Sequence, residues 1–139
     1  MSSRPLSLPA TAVRLLSLLV LLSAGCDSGA RDASAVDYGD PYGLRTEGDA
    51  VARLADGRVL VPVEYGGGCA EHTFALRSRL DGGTATVWYE HDANGDTCEA
   101  LLVETLDAAL PASAAAADRV VLRVPRSLTR DGEVAFELR

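Results

Sequence analysis

The chain has 139 residues, room for one domain. Aromatic residues make up only 5% of it, so any core must be built from Val, Leu and Ala. A formal charge of −7 disfavours nucleic acid and anionic lipid surfaces as partners. It says nothing about fold.

The chain opens on a positive stretch with Arg4 and Arg14, then the apolar run Leu15-Leu16-Ser17-Leu18-Leu19-Val20-Leu21-Leu22, then Ser23-Ala24-Gly25. This is the order of a secretory leader. The run is shorter than the roughly 20 residues of a spanning helix. Leu22-Ser23-Ala24-Gly25-Cys26 resembles the bacterial lipobox. That resemblance implies cleavage before Cys26 and acylation of Cys26, with residues 1–25 as signal peptide. Several acyl chains anchor stably where one does not. The chain is then expected in the bacterial cell envelope, lipid-anchored on the periplasmic face of the inner or outer membrane. Without Arg4 and Arg14 the formal charge is near −9.

Residues 26–48 are rich in Asp, Ser, Ala and Gly and show no sustained period. They are expected to be a flexible tether, with Tyr38 and Tyr42 in solvent. From residue 49 the apolar period is two, the period of a strand. Val59-Val61-Val63-Tyr65 alternates behind the Asp56-Gly57 turn, which pairs Leu54 with Val59. Pro62 asks for an open edge on its nitrogen side. A Gly82-Gly83 turn pairs Leu80 with Ala85, Leu76 with Tyr89 and Phe74 with His91. On the opposite face Arg77 meets Trp88, a cation–π geometry. Asn94-Gly95 reads as a further hairpin turn, setting His91 opposite Cys98 and Tyr89 opposite Ala100. It also sets Glu90 opposite Glu99, which a longer loop over residues 92–97 relieves. Strands around Val120-Leu122-Val124 and Val134-Phe136-Leu138 complete the set. The alanine run after Pro111 is too short for more than a turn of helix. Residues 49–139 are therefore expected to be an all-β domain, a small antiparallel sandwich of about seven strands. A partly open barrel is the alternative.

These pairings bring Cys69, His72, His91 and Cys98 to one end of the sheet. Lipidation of Cys26 leaves two cysteines in an oxidising compartment. A disulfide between Cys69 and Cys98 closes a loop of about 30 residues and contributes roughly 3–4 kcal/mol in the chain-entropy model. The same four side chains form a set that Zn²⁺ takes tetrahedrally, or Cu(I) when the thiols are reduced. Asp92, Asn94 and Asp96 copy the first half of a calcium loop without its later glycine and glutamate. A thiol nucleophile activated by either histidine is the fourth reading.

Gly67-Gly68-Cys69-x-x-His72-x-Phe74, followed by His91-x-x-Asn94-Gly95-Asp96-x-Cys98-Glu99-Ala100, resembles a signature of uncharacterised bacterial lipoproteins. It is similar to the C-terminal β-sandwich of NigD-like proteins, over residues 59–110. The resemblance implies a lipoprotein β domain with no established catalytic residues. The sequence thus reads as a non-enzymatic envelope module stapled by a disulfide and binding a protein partner, with an envelope Zn or Cu protein as the alternative.

Overall fold

The computed structural model describes residues 35–48, 51–129 and 132–138. Cys26, the leader and residues 26–34 lie outside the described residues. Eight strands, β1 (Tyr42–Leu44), β2 (Arg53–Ala55), β3 (Arg58–Gly67), β4 (Thr73–Asp81), β5 (Thr84–Asp92), β6 (Ala100–Ala109), β7 (Arg119–Pro125) and β8 (Glu133–Glu137), form two sheets among the described residues. One helical turn, α1 (Ala112–Ala115), lies between β6 and β7. The architecture is a small open sandwich, not a closed barrel.

The long strand β3 organises the first sheet. β6 pairs along one side of it, and β1 and β2 lie end to end along the other. β2 covers Arg58, Val59 and Leu60, and β1 covers Val63, Glu64 and Tyr65. The carbonyl of Pro62 accepts the Arg45 N–H at 3.0 Å, so its ring nitrogen faces the same side, beside the junction of the two short strands. A missing donor costs least there.

The second sheet runs β4-β5-β7-β8. Its hairpin β4–β5 keeps the expected register, with Phe74 opposite His91 and Leu76 opposite Tyr89. β5 and β7 are parallel, so this sheet is mixed rather than purely antiparallel. The chain reaches β7 only after crossing to the other sheet as β6 and turning through α1, whose Ala114 is buried. A crossover of that length permits parallel neighbours. Arg77 does stand opposite Trp88, but its Nε donates to Glu90 at 2.6 Å while the indole Nε1–H donates to the Asp37 carbonyl.

Alternating residues of β3, β5 and β7 fill the space between the sheets: Val59, Val61, Val63, Ala85, Val87, Val120, Leu122 and Val124. Full burial of one such valine or leucine contributes about 1.5–3 kcal/mol over leaving it exposed. Two tyrosines tie the sheets with buried hydrogen bonds. Tyr42 Oη–H donates to the Tyr89 carbonyl at 2.6 Å, and Tyr89 Oη–H donates to the Val59 carbonyl at 2.8 Å. Burial pushes the Tyr89 hydroxyl up to about 12.

Two expectations are corrected here. β6 does not follow β5 as a hairpin partner: Ala100 pairs with Gly67, Leu102 with Tyr65 and Leu106 with Val61. The Asn94-Gly95 turn forms locally, with both residues at positive φ and the Asp96 N–H on the Ala93 carbonyl. Beyond it the chain leaves for the other sheet, and Glu90 and Glu99 are not opposed. The second correction concerns the tether. Residues 38–44 belong to the domain, because the Tyr38 carbonyl accepts the His91 N–H, the Asp40 N–H donates to the His91 carbonyl, Tyr42 is buried and β1 joins β3.

Candidate functional site

Three segments meet at one end of the sandwich. They are the glycine-rich turn after β3, the loop over residues 93–99 after β5, and residues 39–41 before β1. Gly67 and Gly68 have φ of 156° and 116°, conformations that favour glycine. They turn three successive amides inward. The N–H groups of Gly68, Cys69 and Ala70 each donate to Asp96 Oδ2 at 2.8 Å. Asp96 Oδ1 accepts the Cys98 N–H at 2.8 Å. His72 Nε2 completes the set, 3.1 Å from Oδ2. The Asp96 side chain is fully enclosed, and that of His72 is 3% exposed. The amides of Cys98, Ala70 and Cys69, with the His72 ring, hold the Asp96 carboxyl well below the usual carboxylate range. Backbone nests of this kind select anions, and here the anion is part of the chain.

Cys69 and Cys98 close over this carboxylate as a disulfide, with Cα atoms 5.8 Å apart. The pairing read from the sequence is therefore present. Beneath it the hydrogen bonds continue inward. His72 Nδ1 faces His91 Nε2 at 2.8 Å, and His91 Nδ1 faces the Asp40 carbonyl at 3.3 Å. The three polar links run from Asp96 through both imidazoles to a backbone carbonyl. Burial pushes the His91 ring below its ordinary range. Phe74 stacks on His91, with centroids 4.3 Å apart and planes at 3°. Tyr65 packs beside His72, with centroids 4.8 Å apart. Tyr42 closes the group edge-on to His91.

The arrangement bears on each chemical reading. The Zn or Cu set of Cys69, His72, His91 and Cys98 gathers in one place, yet the sulfurs are bonded to each other and the imidazoles face each other. As a disulfide the sulfurs offer no thiolate ligand. The calcium set does not converge. Asp92 Oδ1 accepts the Asn94 N–H, Asn94 Nδ2 donates to the Glu71 carbonyl, and Asp96 is ringed by donors that repel a cation. A thiol nucleophile requires a free thiol, and the disulfide consumes both.

A cleft of about 260 Å³ lies beside the group, lined by Asp40, Gly66, His91, Asp96, Thr97 and Cys98 among others. His91 is only 2% exposed. Among the described residues no hydroxyl or thiol hydrogen-bonds to either imidazole. The sequence reading missed Asp96 as the centre of the group and Asp40 as its inner end. The signal for Asp96 was available: a carboxylate two residues before a cysteine can cap that cysteine's amide and still reach a glycine-rich turn. Asp40 carried no such signal: its link to His91 is through the backbone carbonyl, and its carboxylate accepts the N–H of the distant Ala93.

No family model, no curated protein and no solved structure matches this chain.

Proposed function

We propose that this protein is a lipid-anchored module of the bacterial cell envelope, whose β-sandwich is a non-catalytic binding domain for a protein partner. One observation carries the non-catalytic part. The chain from Asp96 through His72 and His91 ends on the Asp40 carbonyl, so neither imidazole presents a nitrogen to a substrate. General acid–base work needs a group within hydrogen-bond reach of the proton it moves. The same chain joins the turn after β3, the loop after β5 and the segment before β1, which is the work of a structural clasp. The anchor rests on the leader and on Cys26, and the NigD-like resemblance of residues 59–110 agrees with it.

Fractionation of cells expressing the full chain tests the anchor. The protein is expected in the membrane fraction, and Cys26→Ser is expected to release it. A Cys26→Ser protein that still sediments with membranes after a high-salt wash overturns the reading.

A further inference from the structure

β6 is the outer strand of the first sheet, and its far edge has no strand partner among the described residues. The register with β3 tells which of its groups face outward. Pro62 is the partner of Thr105, and the Pro62 carbonyl points to the β1 side. In an antiparallel pair both members point the same way relative to the ladder. The N–H and C=O of Thr105 therefore point away from β3, and so do those of Leu101, Val103 and Asp107. Arg58 covers the far end of this edge, donating to the carboxylate and the carbonyl of Asp107. The open stretch of the strand is thus residues 100–105. Within it, Leu101 is 61% exposed and Val103 50% exposed, on the outer face. Leu101 stands opposite Gly66, which has no side chain to cover it.

We propose that two copies of this chain pair antiparallel along β6, about a two-fold axis at Leu102. This gives the proposed binding module a partner, a second copy of itself, but it rests on the edge geometry and not on the anchor. The strand is self-complementary in this register. Leu101 of each copy lies opposite Val103 of the other, so four exposed apolar side chains form one patch. Leu102 lies opposite its own copy. Glu104 lies opposite Ala100, and Glu99 opposite Thr105. No acid faces an acid, which matters for a chain of charge −7. An axis at Leu101 sets Glu99 against Val103 and breaks up the apolar patch. An axis at Val103 sets Glu99 against Asp107, and an axis at Glu104 sets that carboxylate against itself. Like charges directly opposite are destabilising. The two first sheets then run on as one, and the open edge that invites indiscriminate pairing is closed.

Sedimentation velocity of the oxidised full chain across a wide concentration range tests this. An edge-strand contact is smaller than the roughly 1,600 Å² of a standard interface, so a reversible monomer–dimer equilibrium is expected. Val103→Pro removes an outward N–H and leaves the ladder to β3 intact. Val103→Glu places charge in the patch at an exposed position. Each is expected to weaken association about tenfold or more, with the near-UV circular dichroism unchanged. Leu101→Arg combined with Val103→Glu is expected to restore it, because the register sets the two changes opposite each other. A chain that stays monomeric at every concentration overturns the proposal, and so does a dimer indifferent to Val103→Glu. Either result leaves the anchor to be judged by the fractionation of Cys26→Ser.

Discussion

His72 and His91 face each other ring to ring, Nδ1 to Nε2 at 2.8 Å, with no water-sized gap between them. At most one proton fits on the line between them. The Asp96 carboxylate and the Asp40 carbonyl at the two outer ends both accept, so His72 Nε2–H and His91 Nδ1–H donate. Long-range proton–nitrogen correlation spectra are expected to show N–H protons on His72 Nε2 and on His91 Nδ1. A His91 ring protonated on Nε2 alone would contradict the arrangement.

Burial holds His91 below its usual range, which gives stability an acid-side slope. As pH falls, the unfolded chain takes up this proton before the folded chain does. The unfolded state then binds more protons, so stability falls with pH. The contribution is complete above about pH 6.5, the ordinary histidine value, and is lost as pH drops below that toward the folded value. Urea midpoints are expected to decline across this window. In His91→Phe the midpoint should be lower at neutral pH and this part of the slope absent.

Asp96→Asn tests the anionic hub. An amide offers one acceptor oxygen where the carboxylate offers two, and its NH₂ group turns donors toward donors. Five donor groups now share the Asp96 oxygens. The variant is expected to melt lower and to lose the ordered turn over residues 68–70, seen as faster amide exchange there. Unchanged exchange at those amides would remove Asp96 from the role given to it.

Gly67→Ala puts a methyl into the His72 ring and within 3.1 Å of Asp96 Oδ2, at a φ of 156°. The strained backbone alone costs on the order of 1–3 kcal/mol. Gly66→Ala is the control, since nothing lies within 4 Å of its added carbon. Urea titrations should find Gly67→Ala destabilised and Gly66→Ala within about 1 kcal/mol of the parent.

Cys98→Ala opens a loop of sequence separation 29. In the chain-entropy model this costs about 3–4 kcal/mol. Denaturation of the parent with a dithiol reductant should shift to a similar midpoint. If reductant moves the parent curve not at all while Cys98→Ala collapses, the loss comes from packing of the sulfur and not from the cross-link.

Strand existence was legible in this sequence because it depends on a local period. Val59, Val61, Val63 and Tyr65 alternate, and they are buried. The Asp56-Gly57 and Gly82-Gly83 turns fixed the two hairpin registers, which appear as expected. Asn94-Gly95 misled because turn chemistry sets the bend and not the partner of the next strand. β3 offers β6 ten residues of ladder, a non-local gain that no local signal announces. The charge conflict between Glu90 and Glu99 was the one hint, and the observed loop removes it. β1 was missed because Asp40, Pro41 and Gly43 read as linker composition. The close pass of Gly43 beside the Ser127 backbone explains its glycine, but only after the fold is known. The disulfide was legible from cysteine counting alone. The carboxylate beneath it was not, since its partners are amides and amides carry no letter in a sequence.

The bridge between Gly39 and His91 and the pairing of β1 with β3 give the first described residues a mechanical role. Tension arriving from the N-terminal side reaches Tyr38, Gly39 and Asp40 before any long strand. Those residues grip the second sheet at His91, and β1 grips the first sheet three residues later. Residues 38–44 therefore fasten both layers at once, and freeing them would uncover the Asp40 end of the histidine pair.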